Sequence, residues 1–185
     1  MKKTPIIIVI VVALILVFGI VSIYNNLNTL EENVDSSWSQ VENVLKRRAD
    51  LIPNLVNTVK GYANYEKEVL TSITEARSKF ESANTPGEYA EADGQLSAAV
   101  TKLYAVAENY PDLKASKNFS DLQYELSGTE NRIATERRRY NEAVQSYNST
   151  IRKFPTNIVA KLFGFEKKAY FEIDAKDAEV PDVNF

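Results

Sequence analysis

The chain has 185 residues, enough for one ordinary domain together with a membrane anchor. Its formal net charge is -3 and its charges are interspersed, which argues against nucleic acid as a partner, because nucleic-acid binding needs a concentrated basic face. The sequence has no Cys and no His, which removes thiol nucleophiles, disulfides, histidine bases and the common zinc and haem ligand sets. We therefore expect no cofactor.

An almost entirely apolar run covers residues 6–23. As a helix, the run is long enough to cross the roughly 30 Å hydrocarbon core of a bilayer. A cleaved secretory signal is the alternative, but its apolar region is usually only about 7–15 residues long, and no small-residue cleavage site follows here. We predict an uncleaved single transmembrane helix at 6–23, so the lipid bilayer is the first expected partner.

The charges that flank the run predict its orientation. Lys2 and Lys3 precede it, whereas the first basic residue after it is Lys46, which comes after several acidic residues. By the positive-inside rule, the short N-terminus (1–5) is cytoplasmic and the rest lies outside the cytoplasm. The expected location is the cell membrane, with a single pass.

Residues 24–154 are predicted to form an antiparallel bundle of four long helices, because apolar residues recur there at intervals of three and four. The stripe of the first helix runs from Leu27 to Arg48. Asp50 and Pro53 then interrupt it, and we favour a tight hairpin at this point over a kinked, continuous helix.

The other three helices follow the same spacing. The second is predicted to run unbroken over 55–80, and the turn residues 84–87 end it. The third has apolar positions over 96–110 and stops at Pro111. The fourth covers about 118–154. The fold class is therefore all-α, with an N-terminal transmembrane helix followed by the bundle.

Residues 155–185 are predicted to be a tail with a short helix and an extended segment. The helix covers 158–163 and ends at Gly164, the extended segment covers 169–173, and 174–185 is a polar, loosely held end. The apolar residues and lysines after residue 157 either rest on the lipid surface or close the open end of the bundle, and we favour closure.

Seven segments resemble the two signatures of the LemA family. The first signature is matched by 38–42 (WSQVE), 47–56 (RRADLIPNLV) and 59–63 (VKGYA), and the second by 118–126 (NFSDLQYEL), 128–133 (GTENRI), 138–141 (RRYN) and 154–157 (FPTN). The resemblance implies a membrane-anchored helical bundle with no established biochemical activity. One departure is Tyr65-Glu66, where the family commonly has His-Glu.

Four polar residues are predicted to share one buried layer of the bundle: Glu66, Thr129, Glu130 and Arg132. At about 1.5 Å per residue, Glu66 and Glu130 fall at a similar depth on facing helices. Such carboxylates either bind a metal ion or form an ionic network that arginine neutralises. We favour the network, because bundle metal sites usually include histidine and this chain has none. No metal ligand and no catalytic residue is therefore predicted.

The composition and the helical pattern favour a non-catalytic interaction or scaffold module at the cell envelope. Its expected partner is an unidentified membrane or envelope protein, and an oligomer is compatible with the pattern. The alternative is a carboxylate metal-binding bundle centred on Glu66 and Glu130. The triplet 148–150 matches the N-glycosylation pattern, but it lies within a predicted helix, and we interpret the match as accidental.

Overall fold

The computed structural model describes residues 3–62 and 66–172, of which 85% are helical and none is in a strand. The all-α class is therefore confirmed for this part of the chain, whereas the division into a bundle of four long helices and their antiparallel arrangement are not confirmed. The helices are α1 (Lys3–Lys60), α2 (Lys67–Ser82), α3 (Pro86–Ala107), α4 (Pro111–Lys114), α5 (Lys117–Ile151) and α6 (Thr156–Phe163).

The chain divides into two compact units. Of the described residues, unit 1 combines 3–38 with 140–168, and unit 2 combines 39–62 and 66–139 with 169–172. The two long helices, α1 and α5, each contribute to both units.

The first part of α1 is the apolar run. Its large side chains are exposed, from Ile7 (59%) to Val21 (48%), and α1 is long and apolar enough to cross a membrane. The same helix then continues, without a break, into Leu27 and Val34, which are buried in unit 1. The predicted span is thus joined directly to a helix of the folded part, with no linker between them.

The hairpin predicted at 50–53 is wrong, because α1 continues through Pro53 to Lys60. A proline inside a helix costs about 3 kcal/mol. Apolar side chains on both sides of it, including Ile52 and Leu55, are fully buried, and each contributes about 1.5–3 kcal/mol. Their burial in one core outweighs the cost of the proline, so the helix is retained.

The unbroken second helix predicted over 55–80 is also wrong. The last turn of α1 is tightened by two i→i−3 hydrogen bonds, Gly61 N–H to Thr58 O (3.3 Å) and Tyr62 N–H to Val59 O (3.0 Å), and α2 starts only at Lys67. Glycine at 61 lowers helix propensity by about 1 kcal/mol. The apolar spacing continues across the break, so periodicity alone does not reveal it.

The connection between α2 and α3 is a three-residue turn with a well-formed cap. Thr85 Oγ1 accepts from Glu88 N–H (3.3 Å), and the Glu88 carboxylate accepts from the backbone N–H groups of Asn84 (2.7 Å) and Thr85 (3.1 Å). This capping box satisfies the free donors at the start of α3. Those backbone hydrogen bonds, with the smaller contribution of the Thr85 side chain, lower the pKa of Glu88. Pro86, predicted as a turn residue, occupies the first helical position, where its missing N–H costs nothing.

The core of unit 2 is formed by α2, α3, α4 and the adjoining parts of α1 and α5. On α1, α2 and α3 its buried apolar residues recur mostly at intervals of three and four, whereas α4 contributes one such residue. The buried apolar residues of this core are Ile52, Leu55, Val56, Val59, Leu70, Ile73, Ala76, Leu96, Ala99, Val100, Leu103, Ala107, Leu113, Phe119 and Leu126.

The ends of the third and fourth predicted helices also need correction. The third ends at Ala107, and Pro111 begins the short helix α4 instead of only stopping α3. The fourth ends at Ile151 rather than at the predicted Phe154, whose side chain is 81% exposed. The predicted helix ends were assigned from the apolar spacing, and this spacing does not indicate where a helix stops packing against the rest of the protein.

The short helix of the tail matches its prediction closely. α6 ends at Phe163 and is capped by Gly164, whose φ of 78° is the left-handed conformation that a residue without Cβ adopts easily. Residues 165–172 contain neither helix nor strand. Ile173, the polar end at 174–185, Tyr65 and the residues before Lys3 lie outside the described part of the chain.

Candidate functional site

The most strongly buried charge in the described part of the chain is Arg48, in unit 2. Arg48 Nη1 donates to Asp93 Oδ1 over 2.7 Å, and the two side chains are only 3% and 16% exposed. Arg48 extends the apolar stripe of α1, and Asp93 lies on α3 between the buried Ala92 and the glycine at 94. The pair therefore ties two helices together within the unit.

Two further polar groups surround this ion pair. Arg48 Nη2 lies 3.9 Å from Glu130 Oε2, although the Glu130 side chain is 62% exposed. Burial is the main cause that raises the pKa of Tyr104 to about 12, with Glu130 raising it further and Arg48 opposing the shift. Arg48, Asp93, Tyr104 and Glu130 form what we call the Arg48 cluster.

Desolvation dominates the electrostatics of the cluster. Burial raises the pKa of Asp93 above its ordinary value, although the neighbouring Arg48 lowers it through charge and hydrogen bonding. Arg48 Nε and the Tyr104 hydroxyl have no hydrogen-bond partner within the described part of the chain. The Arg48–Asp93 ion pair joins α1 to α3, so the cluster is suited to holding these helices in register.

Of the four residues predicted to share a buried layer, only Thr129 is buried, and its hydroxyl donates to the Leu126 carbonyl of the same helix (2.7 Å). Glu66 is half-buried, and Glu130 and Arg132 are exposed. Glu66 immediately precedes α2 and accepts a hydrogen bond from the Tyr110 hydroxyl (2.8 Å). That bond is the main cause of the raised pKa of Tyr110.

The two carboxylates of the predicted layer have different partners, Tyr110 for Glu66 and Arg48 for Glu130. Within residues 3–62 and 66–172, no group of three or more Asp, Glu, His or Cys side chains is arranged to hold a metal ion. The arrangement of Glu66 and Glu130 therefore does not support the alternative function, a bundle that binds a metal ion through these two carboxylates.

Unit 2 also has an open cleft of about 240 Å³ between α1, α2 and α3. At its floor, the buried Phe80 ring packs edge-on against Tyr89, with centroids 5.3 Å apart. Its rim is mainly acidic, and Glu42, the second cause after burial, helps to raise the pKa of Tyr89. The lining consists of Glu42, Lys46, Ala49, Asp50, Phe80, Glu81 and Tyr89.

A second polar arrangement lies in unit 1, where Asn148 holds the segment that follows α6. Its Nδ2 donates to the Lys168 carbonyl and its Oδ1 accepts from the Lys168 N–H, both over 2.9 Å. Lys168 Nζ is paired with Glu31 (2.7 Å) and lies 5.9 Å from the centroid of the Tyr147 ring. The glycosylation triplet at 148–150 therefore begins with a buried amide that is already bonded.

Sequence reasoning assigned no role to Asp93 or Asn148. The available signal was the charged Arg48 at the end of an apolar stripe, because an arginine on a core face needs an acidic partner. Asp93 was not identified because it lies among small residues, before Leu96, where the apolar stripe of the third helix was predicted to begin. Asn148 was considered only as a glycosylation acceptor.

Comparison with known proteins gives consistent matches. The model of the LemA family matches residues 37–185. Protein LemA of Metamycoplasma hominis is 32% identical over 161 residues, which are 86% of this chain and 73% of that protein. Magnetosome protein MamQ 2 of Paramagnetospirillum magneticum is 27% identical over 175 residues, 80% of this chain. Magnetosome protein MamQ of Magnetospirillum gryphiswaldense is 25% identical over 174 residues. The chain spans only 64% of the length of these two magnetosome proteins.

Proposed function

Since the chain belongs to the LemA family, we propose that it is a single-pass membrane protein that acts by binding other membrane or envelope proteins, without catalysing a reaction. The observation that carries the membrane-anchor part of this proposal is the continuity of α1. The helix passes from side chains that are exposed along Ile7–Val21 to the buried Leu27 and Val34 without a linker. A bilayer would cover the first group, and the second fixes the folded unit to it.

The proposed orientation places residues 1–5 in the cytoplasm and the folded part outside it. The chain contains no Cys, so single cysteines can be introduced on either side of the run without background labelling. In intact cells, a membrane-impermeant maleimide should label Ser36→Cys, whereas Thr4→Cys should react only after lysis. The opposite pattern would reverse the topology, and labelling of both in intact cells would argue against a span.

The cleft of unit 2 is the proposed docking place for a protein partner. Three acidic residues and one lysine line it, beside the Phe80–Tyr89 pair. This combination suits a basic segment that also carries an apolar side chain, since charges steer encounter and a buried aromatic contact contributes affinity.

Photocrosslinking tests the docking site. A photoreactive amino acid placed at Lys46 or Asp50, both exposed on the cleft, should give a reproducible protein adduct in intact cells. The matched control is Lys102, which is exposed on α3 and does not line the cleft. Equal adducts at all three positions would refute the cleft as the docking place, and the loss of adducts from every position would count against the binding function itself.

A further inference from the structure

The amphipathic helix α6 presents an unusual apolar surface in unit 1. Val159 and Ala160 are buried, whereas Ile158 is 58% exposed and Leu162 is 72% exposed. Ile158 and Leu162 are four positions apart and therefore lie on the same face of the helix. Phe163 at the end of α6 is half-exposed, and Phe154 just before it is 81% exposed. Large apolar side chains that are exposed together in one short segment mark an interaction surface.

The position of α6 identifies what can cover this surface. Tyr24, the first residue after the apolar run, contacts Phe163 with ring centroids 4.9 Å apart and Phe165 with centroids 5.7 Å apart. All three residues belong to unit 1. The C-terminal end of α6 therefore packs against α1 directly after the apolar run at 6–23. Aromatic residues are typical of the end of a membrane span, because their rings sit well among lipid headgroups.

The charges around α6 are predominantly basic. Arg152, Lys153, Lys161 and Lys167 are exposed, and the acidic residue among them is Glu166. At 100° per residue, Lys161 lies on the flank of the face formed by Ile158 and Leu162. Basic residues beside an apolar face are characteristic of helices that lie in the plane of a membrane interface and attract anionic headgroups.

We propose that α6 is a second membrane contact, an interfacial helix whose Ile158, Leu162 and Phe154 side chains enter the outer part of the lipid layer beside the span. The core-closing role favoured from the sequence applies to the opposite face, through Val159 and Ala160. This inference rests on the proposed membrane anchor, because without a span at α1 nothing would bring α6 to a bilayer.

Spin labels on single cysteines test the proposal in the full chain, reconstituted in phosphatidylcholine vesicles with and without phosphatidylglycerol. We compare label accessibility to oxygen, which concentrates in lipid, with accessibility to a water-soluble nickel chelate. The Leu162→Cys label should favour oxygen strongly, whereas a Gln145→Cys label, exposed on α5, should favour the nickel chelate. Lys161→Glu should reduce the depth of the Leu162→Cys label in the bilayer, mainly in the vesicles that contain phosphatidylglycerol.

A third label separates the two proposals. Phe18→Cys lies in the apolar run, where the native side chain is 74% exposed, and should favour oxygen if α1 spans the bilayer. Lipid exposure at position 18 together with water exposure at position 162 would overturn the interfacial helix and leave the anchor standing. Water exposure at both positions would overturn the anchor as well.

A second copy of the chain is the competing occupant of the α6 surface. In that case the Leu162→Cys label would be shielded from both reagents, and dipolar broadening of its spectrum would disappear on dilution with unlabelled protein. That result would replace the lipid contact with a protein contact. All variants change exposed side chains, so thermal unfolding of the unlabelled variants should match that of the wild type.

Discussion

Arg48 and Asp93 meet over 2.7 Å in unit 2, and each side chain is largely removed from water. Charge attraction between them competes with the free-energy cost of desolvating both groups. In the case of Asp93, the direction of the pKa shift shows that desolvation is the larger effect. The pair therefore adds little net stability, yet breaking it is costly, because one charge would be left buried alone.

Replacing Arg48 by Met should lower the free energy of unfolding by about 3 kcal/mol, since it leaves the Asp93 carboxylate without its cation. The double variant Arg48→Met with Asp93→Leu should recover most of that loss, because no buried charge remains. Arg77→Met is the control, since its ion pair with Glu81 is partly exposed and should be worth about 1 kcal/mol or less. Chemical denaturation measures all three, and a double variant as unstable as the single one would contradict this account.

The pH dependence of stability should have a sign that is unusual for a paired carboxylate. The pKa of Asp93 is raised above 3.8, so the folded state favours its protonated form. The stability that protonated Asp93 contributes is fully present below the pKa of Asp93 in the unfolded chain. It is lost as the pH rises through the higher pKa of Asp93 in the folded protein. The free energy of unfolding of the wild type, relative to that of Asp93→Asn, should therefore fall as the pH rises between these two pKa values and then level off. A relative stability that rises with pH would mean that the ion pair outweighs desolvation.

Asn148→Ala should release the segment that follows α6. The change leaves the N–H and C=O groups of Lys168 without their partners, which should cost about 1–3 kcal/mol and speed hydrogen exchange at the Lys168 amide. Lys168→Ala keeps both backbone hydrogen bonds and removes the partly exposed ion pairs with Glu31 and Asp35 and the contact with the Tyr147 ring, so it should cost only about 1 kcal/mol. Equal losses in the two variants would show that the Asn148 bonds are not what holds the segment.

Pro53→Ala tests the continuity of α1. Because Pro53 lies inside the helix, alanine should restore a backbone donor and remove a steric clash, a gain of up to about 3 kcal/mol. The greater freedom of the unfolded chain subtracts about 0.4–1 kcal/mol from that gain. Pro86→Ala, at the first position of α3, should give no gain. A loss of stability in Pro53→Ala would favour a hairpin at this site.

The buried stripes of the long helices were predictable, because burial on one side of a helix imposes a spacing of three and four. Leu27, Val41 and Leu45 on α1 and Val144 and Tyr147 on α5 are all fully buried. The ends of the helices were less predictable. At Gly61 the helix ends although the apolar spacing continues beyond it. Pro53, in contrast, lies inside an unbroken helix, because the burial of the apolar side chains around it outweighs the local cost of the proline.

The polar contacts could be predicted only in part. Arg48 was visible as a charge on an apolar stripe, but its partner Asp93 is 45 residues away and shares no pattern with it. The predicted layer was built from helix lengths that assumed an unbroken second helix. Once α1 is extended to Lys60 and the chain turns before α2, Glu66 no longer lies at the assumed depth but next to Tyr110.

The unbroken passage of α1 from its apolar run into Leu27 and Val34 also has a mechanical consequence. A helix is stiff over several turns, and no glycine, proline or loop lies between Tyr24 and Val34 to act as a joint. Membrane helices commonly tilt by about 20° to accommodate bilayer thickness. Because the apolar run and the buried part of α1 are one stiff helix, a tilt of the proposed span would tilt the folded part of unit 1 by a similar angle. A change in local membrane thickness would therefore reorient unit 1 relative to the bilayer.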